Sequence, residues 1–438
     1  MWFWDKSSTF AGGMNVQNLI RSSGVRNFAK LLSANVVAQV IGLVVYPILT
    51  RIYTPEDFGL LNLFLSIGGV LVILSTAEYY YAIVLPKEDK EAVGVLGVCL
   101  TILTIVTSLT ILSVFFSDQI AYLFKTPKLV AYYWMMPILV FVLGAWNILN
   151  YWYIRDKKFD RISGYQLSQS LLSASTKIGF GIAGFLHGGM IMATVIAPFV
   201  SLVISVIISF RKKMNSLFCV PSDYMWRMAK KYRNFPIYSL PRSLVNMLAG
   251  QLPVLLLTPV FGSKEVGFWS MALMLGFIPV SVITKSLYQV LYQYVTDKVN
   301  NHQSVGKYMR NFTIYVIAIG VPVFVVLYWM LPALTECFLG GGWESTGLYI
   351  RWMLPWLFCS FLTSSTGFLS DVFSQQKVAF VFEVLTAICR TIGVVTGLIL
   401  KDFSVSVAGY ALGSALAVLA QYVWLMTLVK KYDYQING

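Results

Sequence analysis

The stretch NVVAQVIGLVVYPILTRIYTPEDFGLLNLFL, residues 35–65, decides the fold of this protein. Two apolar runs flank a short polar turn at residues 50–57. In hydrocarbon, backbone N–H and C=O groups must be satisfied within the protein, so apolar runs of about 20 residues predict membrane-spanning helices. The pattern therefore predicts a helical hairpin that crosses a bilayer twice.

The rest of the chain continues this pattern. Of its 438 residues, 57% are hydrophobic and only 12% are charged, with a mean hydropathy of +0.71. Short alternating segments of about 10 residues, typical of membrane β-barrels, do not occur. We therefore predict an all-α membrane protein with twelve transmembrane helices at 28–50, 58–83, 92–116, 129–154, 163–185, 188–210, 235–261, 267–291, 312–335, 348–370, 378–400 and 404–429.

Basic residues predict the orientation of these helices. If the N-terminus is cytoplasmic, 23 of the 33 Lys and Arg residues fall in inside segments and 6 in outside loops. Cytoplasmic loops carry such an excess, so both termini are expected in the cytoplasm. The net charge of +14 is thus mainly a topology signal, and we expect no nucleic-acid partner.

The longest polar interruption, residues 211–234, divides the chain into two halves. We predict a cytoplasmic N-terminal segment at 1–27, a six-helix bundle at 28–210, a basic linker at 211–234 and a second six-helix bundle at 235–438. Six helices per half permit a parallel repeat about a pseudo-two-fold axis along the membrane normal. A shift of 208 residues superposes Gly42 on Gly250, Leu49 on Leu257, Thr50 on Thr258, Gly59 on Gly267 and Gly68 on Gly276.

Polar side chains recur at helical spacing inside several predicted spans. Polar residues in hydrocarbon are costly and face a cavity or a partner, so a polar stripe predicts a lumen. The fifth segment has the longest stripe, which ends at Lys177. We predict a polar lumen lined by Asn35, Gln39, Gln166, Gln169, Ser173 and Asn246. Helix–helix hydrogen bonding is the alternative role for these stripes.

Four cationic side chains fall within the spans. Each would cost about 2.5–3.5 kcal/mol at the centre of a lipid-facing helix, and acidic residues are fewer. An excess of cations suits an anionic substrate. We therefore predict a substrate-binding lumen formed by Lys177, Arg242, Lys285 and Arg390, with Lys177 and Arg390 near mid-membrane. Asp371 and Glu383 are the candidates for coupling to a proton or sodium ion.

Other roles stay open for three of these cations. Arg390 lies two turns from Glu383, and an ion pair between them is the alternative to substrate binding. Lys285 has Glu78 as a candidate partner in the other half. For Arg242, a contact with lipid phosphates is the alternative to substrate binding.

Neither a metal site nor a cofactor is predicted. The five Cys residues form no C-x-x-C pair, and only two His residues are present. The N-terminus has no apolar core before Phe28, so we predict no cleaved signal. Met14 is an alternative native start, because residues 1–13 differ from the rest in character.

The segment Asn35–Leu65, and above all TRIYTPEDFG at Thr50–Gly59, resembles the first hairpin of Wzx-type polysaccharide flippases. These proteins belong to the multidrug/oligosaccharidyl-lipid/polysaccharide exporter superfamily. The stretch Gly367–Leu400, with SQQKVAF at Ser374–Phe380, is similar to the tenth and eleventh helices of the family.

This resemblance implies two bundles in a V around a central cavity that opens alternately to each side of a bacterial inner membrane. It implies an undecaprenyl-pyrophosphate-linked oligosaccharide, such as an O-antigen unit for lipopolysaccharide, as cargo. Membrane lipid, a coupling ion and other polysaccharide-assembly proteins are the further expected partners. The chain has no G-x-x-x-x-G-K-[ST] loop for ATP, and we expect transport without an enzymatic step.

Three alternative functions stay open. A multidrug exporter of the same superfamily would need an acidic lumen for organic cations, the opposite of the one predicted. A lipid II flippase would share the anionic head group. A membrane-embedded polysaccharide polymerase or glycosyltransferase would need acid–base or metal-binding groups in the outside loops, where acids are scattered.

Overall fold

The computed structural model describes residues 23–210 and 221–437. All long elements in these ranges are helices, and none of the described residues forms a strand. Residues 1–22 of the predicted N-terminal segment, including the two candidate start residues, lie outside this description. The same holds for residues 211–220 of the predicted linker.

Six long helices form the first half of the structure. They are α1 (Ser23–Ile52), α2 (Pro55–Leu74), α3 (Asp89–Ser113), α4 (Met136–Arg155), α5 (Phe159–Ile182) and α6 (Gly189–Phe210). The turn between α1 and α2 is short because Thr54 caps α2. Its backbone N–H donates to Asp57 Oδ2 at 2.9 Å, and its hydroxyl accepts from the Asp57 backbone N–H at 3.4 Å. This reciprocal capping box fixes the first residue of α2.

A short helix lies in the predicted linker, and five long helices form the second half. They are α7 (Ser222–Lys231), α8 (Leu240–Asn300), α9 (Gly306–Leu339), α10 (Glu344–Thr366), α11 (Gln376–Leu400) and α12 (Phe403–Asn437). A straight helix of 61 residues would measure about 92 Å, three times the hydrocarbon thickness. Gly262 breaks α8 with φ 85° and ψ 168°, a conformation that favours glycine, and divides it into a first arm (240–261) and a second arm (263–300).

Each of the twelve predicted spans overlaps one of these helices or one arm of α8. Among the described residues, eight helices are long and apolar enough to cross a membrane, and the run 235–300 is one of them. The helix α5 does not qualify because its polar stripe lowers its hydropathy. The protein is therefore a multi-pass membrane protein, and the number twelve stays a prediction.

The largest hydrophobic cluster joins the two halves at one end of the molecule. It contains Leu49 and Tyr53 of the first hairpin together with Trp269, Leu339 and Trp343 of the second half. The turns at 53–54, 124–128, 183–188 and 340–343 lie at this end, which the basic-residue pattern predicts to be on the non-cytoplasmic side of the membrane. We call it the outer end.

At the opposite, inner end, the buried hydrophobic residues form two smaller clusters. One cluster is built around Ile83, Cys99 and Met228. A second cluster is built around Leu291 and Met309 in the other half. The first of these clusters includes α7 and Phe235, so contacts between the halves also reach the inner end. The largest core that the halves share lies toward the outer end.

Two glycines allow the backbones of the two halves to approach closely. A Cβ at Gly59 would lie 1.7 Å from the carbonyl oxygen of Ser263, and a Cβ at Gly267 would lie 1.7 Å from that of Pro55. The shift of 208 residues that superposes Gly59 on Gly267 also superposes Pro55 on Ser263, so each contact is the image of the other. Such reciprocity is the pattern that a two-fold axis produces. The symmetry of the whole molecule stays a prediction.

Candidate functional site

A polar cavity of about 360 Å³ lies between α1 and α5. Its walls contain polar side chains from the stripes of the first and fifth predicted spans. The lining residues are Ala38, Gln39, Gly42, Val45, Tyr46 and Leu49 of α1, and Gln166, Gln169, Ser170, Ser173, Ala174 and Lys177 of α5. The side chain of Asn35, predicted on the same face of α1, lies outside the described residues.

Two hydrogen bonds hold α1 and α5 together around this cavity. Ser170 Oγ donates to the carbonyl oxygen of Ala38 at 3.1 Å. Near the outer end, the Tyr53 hydroxyl donates to the carbonyl oxygen of Lys177 at 2.7 Å. Between them, the missing side chain of Gly42 leaves open space, because a Cβ there would meet nothing within 4 Å. The helices are thus joined at two levels and separated in between.

Lys177 provides the positive charge of this cavity. It lies five residues before the end of α5, or about 8 Å along the helix axis, so it is closer to the outer end than the mid-membrane position that we predicted. Its side chain is half-buried. Lys177 forms no ion pair with any acid among the described residues. The ammonium group therefore lines the cavity without a counter-ion from the described part of the chain.

Gln166 gives the cavity an unsatisfied acceptor at its other end. The buried Oε1 atom of Gln166 has no hydrogen-bond partner among the described residues. Eleven residues separate Gln166 from Lys177, which corresponds to about 17 Å along the axis of α5. Buried amide groups are normally hydrogen-bonded, so an unpaired one suggests a missing polar ligand or water. Together these residues offer a cation and amide groups to a ligand of mixed charge and hydroxyl character.

Arg390 is held within the second half instead of lining this cavity. Its Nε atom donates to Ser414 Oγ at 2.9 Å. Its guanidinium carbon lies 5.3 Å from the ring centroid of Trp356 and 5.4 Å from that of Tyr410. The alternative partner Glu383 is exposed and pairs with no described cation. The polar cavity therefore contains Lys177 but not Arg390, whereas we predicted that both residues line one lumen.

The remaining predicted site residues are distributed over other parts of the second half. Arg242 and Asn246 are exposed on the first arm of α8, and Lys285 is exposed on the second arm. Asp371 is exposed after α10 and forms a side-chain hydrogen bond with Tyr288. None of these four residues lines the polar cavity.

Glu78 has a different environment from the one predicted. It is 1% exposed, has a left-handed φ of 63° and follows the end of α2. Its side chain forms a hydrogen bond with Ser243, and Arg242 is its nearby cation, instead of Lys285. Sequence reasoning missed this contact because the chain leaves the helix at residue 74, which invalidates helical angles beyond that point.

The turn with the most specific sequence motif closes the outer end. Thr50 Oγ1 donates to the carbonyl oxygen of Leu339 at 2.7 Å, and Trp343 Nε1 donates to that of Thr50 at 3.0 Å. Asp57, the capping residue of α2, also lies 3.1 Å from Nδ1 of His187 in the turn between α5 and α6. The motif therefore has a structural role in joining the halves above the cavity.

These features define an all-helical membrane transporter fold with a polar cavity beneath a closed outer end. Residues 48–348 match the family described as "Polysaccharide biosynthesis protein", and the chain belongs to this family. No curated protein has a matching sequence.

Two solved structures have a fold similar to that of this protein. The structure is similar to an inward-facing multidrug resistance MATE family transporter of the MOP superfamily, with a TM-score of 0.67, 13% identity and coverage of 90% of this chain and 96% of that one. It is also similar to the lipid II flippase MurJ in an inward closed conformation, with a TM-score of 0.66, 14% identity and coverage of 93% and 90%. At these identities the likeness concerns the fold.

Proposed function

We propose that this protein is a flippase that moves undecaprenyl-pyrophosphate-linked oligosaccharide units, such as O-antigen units, from the cytoplasmic to the periplasmic leaflet of the inner membrane. The observation that carries this proposal is the polar cavity between α1 and α5, in which Lys177 has no acidic partner in the ranges 23–210 and 221–437. Membership in the polysaccharide biosynthesis family supports the substrate class.

The chemistry of the cavity favours an anionic, hydroxyl-rich head group. Among the described residues, its lining has one ammonium group, three glutamine amides, two serine hydroxyls and the Tyr46 hydroxyl, and no carboxylate. A pyrophosphate accepts charge-assisted hydrogen bonds from a cation, and amides and hydroxyls can bond to sugar hydroxyls. Organic cations would meet the wrong charge, which argues against multidrug export.

The size of the cavity limits how much of the cargo it can hold. About 360 Å³ is at the lower end of the range of roughly 300–1,000 Å³ for small-molecule pockets. It therefore suits the pyrophosphate and the first sugar better than a whole repeat unit. The rest of the oligosaccharide would extend beyond the cavity toward the inner end, where the clusters around Ile83 and around Leu291 are not continuous with each other.

Transport then needs no phosphate hydrolysis. In this proposal, the large shared core of the outer end and the two smaller clusters of the inner end belong to a state that loads from the cytoplasm. An interior-negative potential favours outward movement of each negative charge by about 2.3 kcal/mol per 100 mV. Separating the halves at the outer end and joining them at the inner end would deliver the head group to the other side. Asp371 and Glu383, both exposed, stay the candidates for coupling this change to an ion gradient.

The test is complementation of a bacterium that lacks its own polysaccharide flippase, in backgrounds with different repeat units. The native protein should restore surface polysaccharide in a matched background. Lys177→Ala should reduce export about tenfold or more, since a hydrogen bond to a charged group contributes about 1.5–3 kcal/mol. Lys177→Arg should retain most of the export.

Lys401→Ala is the matched control, because Lys401 is exposed in the turn after α11 and lies outside the cavity. It should export normally at an equal level in the membrane. Failure of the native protein in every background would refute the proposed function. Equal export by Lys177→Ala and Lys401→Ala would refute the role of Lys177.

A further inference from the structure

A long apolar groove separates two consecutive helices of the second half. The second arm of α8 and α9 are connected by the short segment 301–305, but a space of about 810 Å³ lies between them. The floor of this groove is α10, with Leu354 and Phe358 among its lining residues. Its walls are almost entirely aliphatic and aromatic. Helices joined by so short a connection usually pack directly against each other, so this separation needs an explanation.

The groove runs along nearly all of α9. Phe312, Ile319, Val323, Leu327, Leu334 and Phe338 line it at spacings of four and seven residues, which is one face of a helix. From Phe312 to Phe338 this face extends about 39 Å, more than the roughly 30 Å of the hydrocarbon core. An acyl chain of an ordinary lipid reaches only half of that thickness. A single occupant of the whole groove must therefore be a longer chain.

The groove also adjoins the polar cavity. Leu43 of α1 lines the groove, whereas its neighbour Gly42 and Gln39, one turn away, line the cavity. One helix thus presents an apolar face to the groove and a polar face to the cavity. A ligand with a charged head and a long apolar chain would satisfy both surfaces at once.

We propose that the groove between α8, α9 and α10 binds the polyisoprenoid chain of the cargo while its head group occupies the polar cavity. This proposal rests on the proposed function. It gives a binding site to the polyisoprenoid chain, the part of the cargo that the polar cavity does not hold. Because lipid tails are as apolar as the groove, selection of this chain depends on shape and packing. A head group already bound in the cavity raises the effective concentration of its own chain at the groove.

Two valines of α9 provide a matched pair for the test. Val323 is 49% exposed and lines the groove, whereas Val325 is 53% exposed and does not. A tryptophan at position 323 should fill the groove, and one at position 325 should only face lipid. The purified full-length protein in nanodiscs is titrated with undecaprenyl pyrophosphate and with geranyl pyrophosphate, both expressed as mole fraction in the membrane.

Native protein should bind the long-chain ligand at least tenfold more tightly than the short-chain one. Val323→Trp should remove most of this difference and leave binding of geranyl pyrophosphate unchanged, and Val325→Trp should behave like the native protein. Phosphatidic acid, with an anionic head and ordinary acyl chains, should compete poorly.

Three results would overturn the groove proposal. They are equal affinity of the native protein for long and short chains, equal behaviour of the two tryptophan variants, and effective competition by phosphatidic acid. In each case pyrophosphate binding is retained and the proposed function stands. If the native protein binds neither pyrophosphate ligand, the proposed function itself fails.

Discussion

A methyl group added at Gly59 would test whether the outer end of this protein is the gate that must open. In Gly59→Ala the new Cβ would lie 1.7 Å from the carbonyl oxygen of Ser263 in the other half. Ordinary contacts of a Cβ begin at 3.4 Å, so the two backbones must separate by about 1.7 Å. The obstacle is a main-chain atom, which no side-chain rotation can remove.

The energetic effect follows from this overlap. Overpacking at a closely packed contact costs about 1–3 kcal/mol. If only the outer-closed state bears this cost, the equilibrium shifts toward the outer-open state by about 5- to 150-fold. Gly267→Ala should act in the same way, because its Cβ would lie 1.7 Å from the carbonyl oxygen of Pro55. The double variant should give less than the sum of the two effects, since both act on one contact.

The assay measures access to a buried position of the outer end. Thr126 is 6% exposed, and its hydroxyl lies 3.5 Å from that of Ser263. Thr126→Cys is introduced in a chain without the native cysteines, of which Cys337 is exposed at the outer end. A membrane-impermeant maleimide is added from outside. Its labelling rate should rise with the outer-open population when Gly59→Ala is added.

Gly42→Ala is the control, because a Cβ at Gly42 would meet nothing within 4 Å. It adds the same methyl group to the first hairpin and should leave the labelling rate unchanged. An unchanged rate in Gly59→Ala, at a native level of membrane insertion, would refute the assignment of this contact as the outer gate.

Two further predictions concern residues outside the cavity. Arg390→Ala should lower the free energy of unfolding by about 2–4 kcal/mol, because it removes two cation–π contacts and a charged hydrogen bond. Thermal unfolding in detergent measures this loss of stability. If the variant instead loses export while its thermal stability is unchanged, Arg390 contacts the cargo directly. Lys231 donates to the Glu91 carboxylate at 2.7 Å, and this bond raises the pKa of the Lys231 ammonium group above its ordinary value of 10.5. The stabilisation is therefore complete below pH 10.5 and is lost as the pH rises through the raised pKa. Lys231→Met should abolish this alkaline component of the stability profile, and an identical profile in the variant would contradict the pairing.

Much of the helical plan is contained in local sequence. Apolar runs such as residues 35–49 and 58–74 predict spans directly, and the capping residues Thr54 and Asp57 mark the start of α2. The polar stripe from Gln166 to Lys177 likewise lies on the cavity side of α5. These features depend on neighbours within one helix, where spacing along the chain determines direction in space.

Contacts between side chains of different helices were harder to predict from the sequence. The sequence offered Glu383 as a partner for Arg390, but the structure gives Arg390 the rings of Trp356 and Tyr410. Glu78 contacts Ser243 instead of Lys285, because the chain leaves the helix before residue 78. The charge of a residue does not determine its partner, because the packing of several helices decides which side chains lie close to it.

The sequence by itself determined the class of the protein, its membrane helices and the polar faces of α1 and α5, since hydrophobic burial and helical periodicity act locally. Only the tertiary structure decided that these two faces enclose a cavity, that Lys177 lies toward its outer end and that a second, apolar groove adjoins it. The reason is that a cavity is the space left between helices. Its position depends on where close contacts such as Gly59 with Ser263 hold the halves together.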